Sequence, residues 1–236
     1  LYSNALGTDN SLYSLLLGLT CGLLGGLLCL YILAIRSRPG KEILAAIKHR
    51  QFYVVYQPVV DAKNRQITGV EALMRWSHPT VGNIPPDAFI SYAEAQDLIV
   101  PLTHHLFELI ARDAPMLKDL LPPGAKLGIN IAPSHLHAES FQHDIRQLAA
   151  SLPDNYFQVV LEITERDMLN QERAMNLFAW LRGEGIEIAI DDFGTGHSAL
   201  IYLERFTLDY LKIDRGFVNA IGRETITSPV LDAVLT

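Results

Sequence analysis

Residues 186–196 read Ile-Glu-Ile-Ala-Ile-Asp-Asp-Phe-Gly-Thr-Gly. An apolar run of strand length ends in two adjacent carboxylates, Asp191 and Asp192, and then in a glycine-rich turn. The same grammar recurs to either side. Glu162 interrupts Val-Val-Leu-Glu-Ile-Thr-Glu, with Glu165 just beyond, and Asn130 interrupts Leu-Gly-Ile-Asn-Ile-Ala-Pro. Glu71 and Arg75 share one face of Val-Glu-Ala-Leu-Met-Arg-Trp, and Lys212 and Asp214 share one face of Asp-Tyr-Leu-Lys-Ile-Asp-Arg. A buried strand tolerates such groups only when they are partnered.

Working outward, strands are predicted at Phe52–Val60, Ile67–Trp76, Lys126–Ile131, Phe157–Ile163, Ile186–Ile190 and Tyr210–Ile213. A short amphipathic helix is predicted at Lys41–Arg50, and further helices near 86–97, 102–120, 140–150, 171–183, 197–204 and 225–235. The polar turn Asp-Ala-Lys-Asn-Arg-Gln joins the first two strands as an antiparallel hairpin. Beyond it strand and helix alternate, an α/β pattern that fits either an open doubly wound sheet or a (β/α)8 barrel. In a barrel the carboxyl ends of the strands converge on one mouth.

Four or five carboxylates at one mouth repel one another unless cations neutralise them. Carboxylate and amide oxygens are hard donors suited to Mg2+ or Mn2+, whereas no cysteine ligands or His-Glu-x-x-His pattern suggest zinc there. Taken singly, each acid reads as a strand-end residue, a helix cap or an ion-pair partner. Their succession at strand ends is what argues for a metal-bearing mouth. Asp192-Phe193-Gly194 also matches the kinase Asp-Phe-Gly, but the glycine-rich loop and His-Arg-Asp segment are missing. Seven of the eight histidines read as surface or helix-end residues, with His197 alone in the expected mouth.

The chain has 236 residues, 49% of them hydrophobic, enough for a packed core. A net charge of −7 argues against DNA or RNA binding through an overall field. Cys21 and Cys29 are too few for a disulfide framework. The mean hydropathy of +0.17 has a local source, the uncharged run Leu12–Ile35. About 24 residues at ~1.5 Å each span about 36 Å, so a transmembrane helix at 12–35 is predicted, with the lipid bilayer as partner. Arg36, Arg38, Lys41, Lys48 and Arg50 follow it, which orients the following domain to the cytoplasm. Residues 1–11 then form a periplasmic tail and 36–40 a linker. Gly18, Gly22 and Gly26 lie on one helix face, compatible with helix association. The chain starts without Met and stops within a helix-like run, so it reads as a fragment.

Tyr56-Gln57-Pro58, Glu71-Ala-Leu73 with Arg75, Asn130, Glu162-Ile-Thr-Glu165, Asp191-Asp-Phe-Gly-Thr-Gly196 and Lys212-Ile-Asp214 stand in the order and spacing of one family. The segment 41–236 resembles the EAL domain, a family of bacterial phosphodiesterases of cyclic di-GMP. With the apolar run ahead of it, the chain is similar to the subgroup whose periplasmic sensor lies between two membrane helices, in the bacterial inner membrane. The resemblance implies a modified, TIM-like (β/α)8 barrel with an antiparallel first strand, here incomplete at the carboxyl end, with six of eight strand runs present. It implies metal ligation by Glu71, Asn130, Glu162 and Asp191, with Asp192 bridging to or binding a second metal. Lys212 would hold the attacking water and Glu165 would position the loop containing 192–196. Gln57, Arg75 and Asp214 would serve the substrate. A homodimer is a further implication.

The expected reaction is hydrolysis of cyclic di-GMP to linear pGpG, assisted by two Mg2+ or Mn2+ ions that neutralise the diester. Ca2+ should inhibit, because it prefers longer and looser coordination. A catalytically silent receptor for the same dinucleotide is the alternative, and the cut-short chain itself is expected to be inactive. A glycosidase built on two carboxylates fits less well, since Asn130 and Lys212 have no place in that chemistry.

Overall fold

The computed structural model describes residues 13, 16–28, 40–164, 171–193, 208–213 and 216. The chain divides into two units, Leu1–Glu42 and Ile43–Thr236. In the first, residues 16–28 are helical and exposed, and Thr20 Oγ1 donates to the Leu16 and Leu17 carbonyls at 3.0 and 2.9 Å.

The membrane span expected at 12–35 is not borne out. Among the described residues no helix is long and apolar enough to cross a membrane. Apolar composition marks a segment for burial but does not by itself set the length of the helix it forms, and Gly18, Gly22, Gly25 and Gly26 all stand within the helical residues 16–28. The single-pass inner-membrane location and the lipid partner derived from that span fall with it.

The second unit is built on one sheet. Its strands are β1 (Phe52–Val60), β2 (Ile67–His78), β3 (Gly82–Ile84), β4 (Ala125–Asn130), β5 (Phe157–Thr164), β6 (Glu187–Phe193) and β7 (Tyr210–Ile213). Their spatial order is β1-β2-β4-β5-β6-β7, with β3 paired to β2. The β1–β2 hairpin is antiparallel, and from β2 through β7 the neighbours on this path run parallel. Sequential parallel strands linked by helices, with a reversed first strand, form the wall of a TIM-like α/β barrel. All six predicted strands are present, while β3 and the four-residue helix Pro133–Leu136 escaped the sequence reading.

Helices cover the outer face: α1 (Lys41–Lys48), α2 (Pro86–Ala95), α3 (Ile99–Leu120), α4 (Pro133–Leu136), α5 (Phe141–Ser151) and α6 (Gln171–Gly183). The predicted helices at 197–204 and 225–235 lie outside the described residues. Proline starts α2 at Pro86 with Asp87 in its first turn, where the missing N–H costs nothing and the acid meets the helix dipole. Past the end of α6, Gly185 takes φ +77°, and Ile186 N–H donates to the Leu181 carbonyl at 3.0 Å, turning the chain into β6.

The strands bury Leu127, Ile129, Leu161, Ile163, Ile188 and Ile190 at no more than 1% exposure. At roughly 1.5–3 kcal/mol each, these side chains hold the sheet to its helices. At the hairpin end Phe52, Trp76 and Phe89 stack with centroids 5.1–6.0 Å apart, and Trp76 Nε1–H donates to Gln51 Oε1 at 3.0 Å. The core therefore locks β1 and β2 to α2, which fixes the height of Glu71 on the wall.

Candidate functional site

The parallel register sets the acids side by side. Glu71 on β2 pairs with Gly128 on β4, Asn130 at the end of β4 pairs with Glu162 on β5, and Thr164 pairs with Asp191 on β6. Asn130, Glu162 and Asp191 sit toward the carboxyl ends of their strands, and Glu71 in the middle of the longer β2. The result is a cluster in which one carboxylate oxygen from each of Glu71, Glu162 and Asp191 lies within 4.8 Å of the others.

Lys212, on β7, reaches into this cluster. Its Nζ donates to Glu162 Oε2, to Asp191 Oδ2 at 3.1 Å, and stands 3.2 Å from Glu71 Oε2. Asn130 Nδ2 donates to Glu71 Oε1 at 2.7 Å, which turns its amide oxygen the other way. Glu162 is buried, and burial pushes its carboxyl up to about 7. Lys212 opposes that rise, and Glu71 and Asp191 add to it by repulsion. Burial alone would lower the Lys212 ammonium; Glu162, Asp191 and Glu71 outweigh burial and hold it above its ordinary value.

Gly128 is the site residue that the sequence reading missed. A Cβ built there would collide with Glu162 Oε1 and stand 3.4 Å from Glu162 Cδ. The missing side chain is the space that the Glu162 carboxylate occupies. A glycine inside an apolar strand is the available signal, since it weakens the strand unless something must approach closely.

Arg75 is half-buried on the Glu71 face of β2, two residues beyond Leu73, and its Nη1 donates to the Met74 carbonyl at 2.9 Å. Gln57 is exposed on β1, directly opposite Glu71 in the hairpin register. Tyr56, in the same motif, turns to the helical layer, where its hydroxyl donates to Asp113 Oδ2 at 3.1 Å. Asp192 follows Asp191 within β6. Glu165, His197 and Asp214 lie outside the described residues. Of the histidines expected at the surface or at helix ends, His135 stands in the last turn of its helix yet is buried, and His105 is buried within α3.

Three carboxylates, with the Asn130 amide bonded to one of them, make an oxygen-rich, anionic cluster of the kind that holds divalent cations. With the sheet order, this defines an α/β-barrel protein with an acidic cluster on the wall of the sheet. The chain belongs to the EAL domain family, whose profile matches residues 41–236. It is 66% identical over 236 residues to the probable cyclic di-GMP phosphodiesterase PdeN of Escherichia coli (strain K12), covering 100% of this chain and 46% of that protein. It is 36% identical over 196 residues to the cyclic di-GMP phosphodiesterase PdeL of the same strain, covering 83% of this chain and 54% of that protein. The chain thus spans about half the length of these curated relatives. Among solved structures, the PaMucR phosphodiesterase in complex with c-di-GMP superposes with a TM-score of 0.69 at 32% identity, covering 82% of this chain and 77% of that one. EAL phosphodiesterases depend on divalent metals, and the acidic cluster supplies the donor set for them.

Proposed function

We propose that residues 41–236 are the phosphodiesterase domain of an enzyme that hydrolyses cyclic di-GMP to linear pGpG. The observation that carries the reading is the convergence of Glu71, Glu162 and Asp191 on the Lys212 ammonium. The names of the relatives and the c-di-GMP complex of the PaMucR domain support it.

In this proposal Glu71, Asn130, Glu162 and Asp191 would hold the divalent cations, Mg2+ or Mn2+, with Asp192 bridging to or binding a second one. Bound there, the cations supply charge neutralisation to a phosphodiester that otherwise repels a nucleophile. The chain's own residues do the positioning. Lys212 orients the attacking water with the ammonium that the three carboxylates hold charged. Arg75 meets a phosphate oxygen, Gln57 and Asp214 border the dinucleotide, and Glu165 steadies the loop after β6. The water oxygen bonds to phosphorus in line with the 3′-oxygen, the P–O3′ bond breaks, and the 3′-oxygen ends protonated. Homodimerisation belongs to the same proposal and is read from the mass of the chain in solution.

The test is turnover of cyclic di-GMP by the parent protein in Mg2+ or Mn2+, with products separated by chromatography and Glu71→Ala as control. Formation of pGpG that vanishes in the control is the expected result. Binding of the dinucleotide without cleavage would replace the enzyme by the silent receptor.

A further inference from the structure

A second constellation shares no residue with the mouth. His104 on α3, His135 on α4 and Asp144 on α5 each offer one donor atom, and the three atoms lie within 4.8 Å of one another. His104 Nε2 is 2.8 Å and His135 Nε2 is 3.0 Å from the same oxygen, Asp144 Oδ2. His135 is 0% exposed and Asp144 3%, while His104 is half open to solvent.

The Asp144 carboxylate takes hydrogen bonds from the His104, His135 and Ser140 side chains, which act against the cost of burying its charge. A carboxylate taken out of water needs a counter-charge, and among the described residues Asp144 has no Lys or Arg within ion-pair distance. His135 Nδ1 is buried without a hydrogen-bond partner, so this imidazole is stabilised in its polar contacts through Nε2 alone. Phe107 and Phe141 flank its ring at 6.1 and 5.5 Å and hold it in place. Beside His104 and Asp144, with His135 behind them, lies a cavity of about 170 Å3 bordered also by Glu108, Gln147 and Ser151.

We propose that His104, His135 and Asp144 form a transition-metal site of the zinc class, with the remaining coordination position opening to this cavity. Two imidazoles and one carboxylate are a donor set that zinc takes with an open fourth position. Ligand atoms around tetrahedral zinc stand about 3.3 Å apart, so the present spacings need to open by only a few tenths of an ångström. The site draws its ligands from three separate helices, so the metal ties α3, α4 and α5 together. Hard Mg2+ belongs to the oxygen donors of the mouth, and the softer metal to the nitrogens here.

The experiment uses the full chain, stripped with chelator, in a Glu71→Gln background that weakens cation binding at the mouth. Zinc is titrated by calorimetry and cobalt by visible absorption. One equivalent of zinc, an intense four-coordinate cobalt band and a zinc-dependent rise in melting temperature are expected. His104→Ala, at a half-exposed position that does not disturb the core, loses the equivalent, the band and the rise. Asp144→Asn, if it folds, does the same. Zinc binding unchanged by His104→Ala, or no zinc equivalent in the Glu71→Gln background, overturns the proposal.

Discussion

Asn130 Nδ2 donates to Glu71 Oε1 at 2.7 Å, joining the end of β4 to the middle of β2. The bond fixes which way the Glu71 carboxylate turns and leaves the Asn130 carbonyl aimed away from it. Asn130→Asp would replace a donor with a like charge beside Glu71. We expect cation affinity at the mouth to change little and turnover to fall by about 10–100-fold, as when a group orienting a ligand is lost. Parallel titrations of Mn2+ binding and of product formation separate the two effects.

Glu71→Ala removes a carboxylate from the cluster itself. Charge stabilisation worth several kcal/mol disappears with it, so turnover should drop at least about a hundredfold. The circular dichroism of the variant should be unchanged, since Glu71 is only half-buried and its neighbours on β2 supply the packing.

Gly128→Ala adds one methyl group, directed at Glu162 Oε1. Displacing a catalytic carboxylate by about 1 Å can cost about 10²-fold in rate, and that is the loss expected here. The companion Gly124→Ala, at φ +79° in the turn before β4, should lower stability without the same fall in activity per folded molecule. Activity normalised to folded fraction distinguishes them.

Glu162 gives a pH signature in chelator. Its folded carboxyl is raised to about 7 from the usual 4.5, so the native chain binds this proton more tightly than the unfolded one. The stabilisation from protonation is full below about 4.5 and is lost as pH rises through about 7. Urea melts of the wild-type chain should therefore gain on Glu162→Gln as pH falls from 7.5 to 5. A difference that stays flat across that range would show that burial does not govern this carboxyl.

Ca2+ supplied in place of Mg2+ should occupy the oxygen donors yet support little turnover, because its bonds are longer and its geometry looser. Competition of Ca2+ against Mn2+ in a product assay measures this. Undiminished turnover in Ca2+ alone would count against a site that needs close coordination.

Much of this was legible because strand ends are local. The alternation in Val-Glu-Ala-Leu-Met-Arg placed Glu71 and Arg75 on one face, and the apolar run before Asp191 marked β6. What escaped depends on cross-strand geometry or tertiary packing. Gly128 matters because of a carboxylate on the next strand; a glycine inside an apolar strand signals a close approach, but its own segment does not say of what. The three residues of β3 are strand only because Trp76–His78 pair with them. His135 sits in a helix of four residues, too short for any periodicity, and its burial comes from α3 and α5 closing over it. The apolar stretch at 12–35 misled for the opposite reason: hydropathy was strong there, and hydropathy reports the apolar character of a segment rather than the length of the helix it forms.

Lys212 arrives on β7, after every one of the three acids that it neutralises. A chain emerging from the ribosome therefore exposes its acids before their counter-charge has been made. Until β7 pairs with β6, Glu71, Glu162 and Asp191 lack the Lys212 ammonium, and cations from solution can stand in for it while the backbone ladders form. Ionic conditions during synthesis would then influence how quickly the wall is completed, well before any substrate is present.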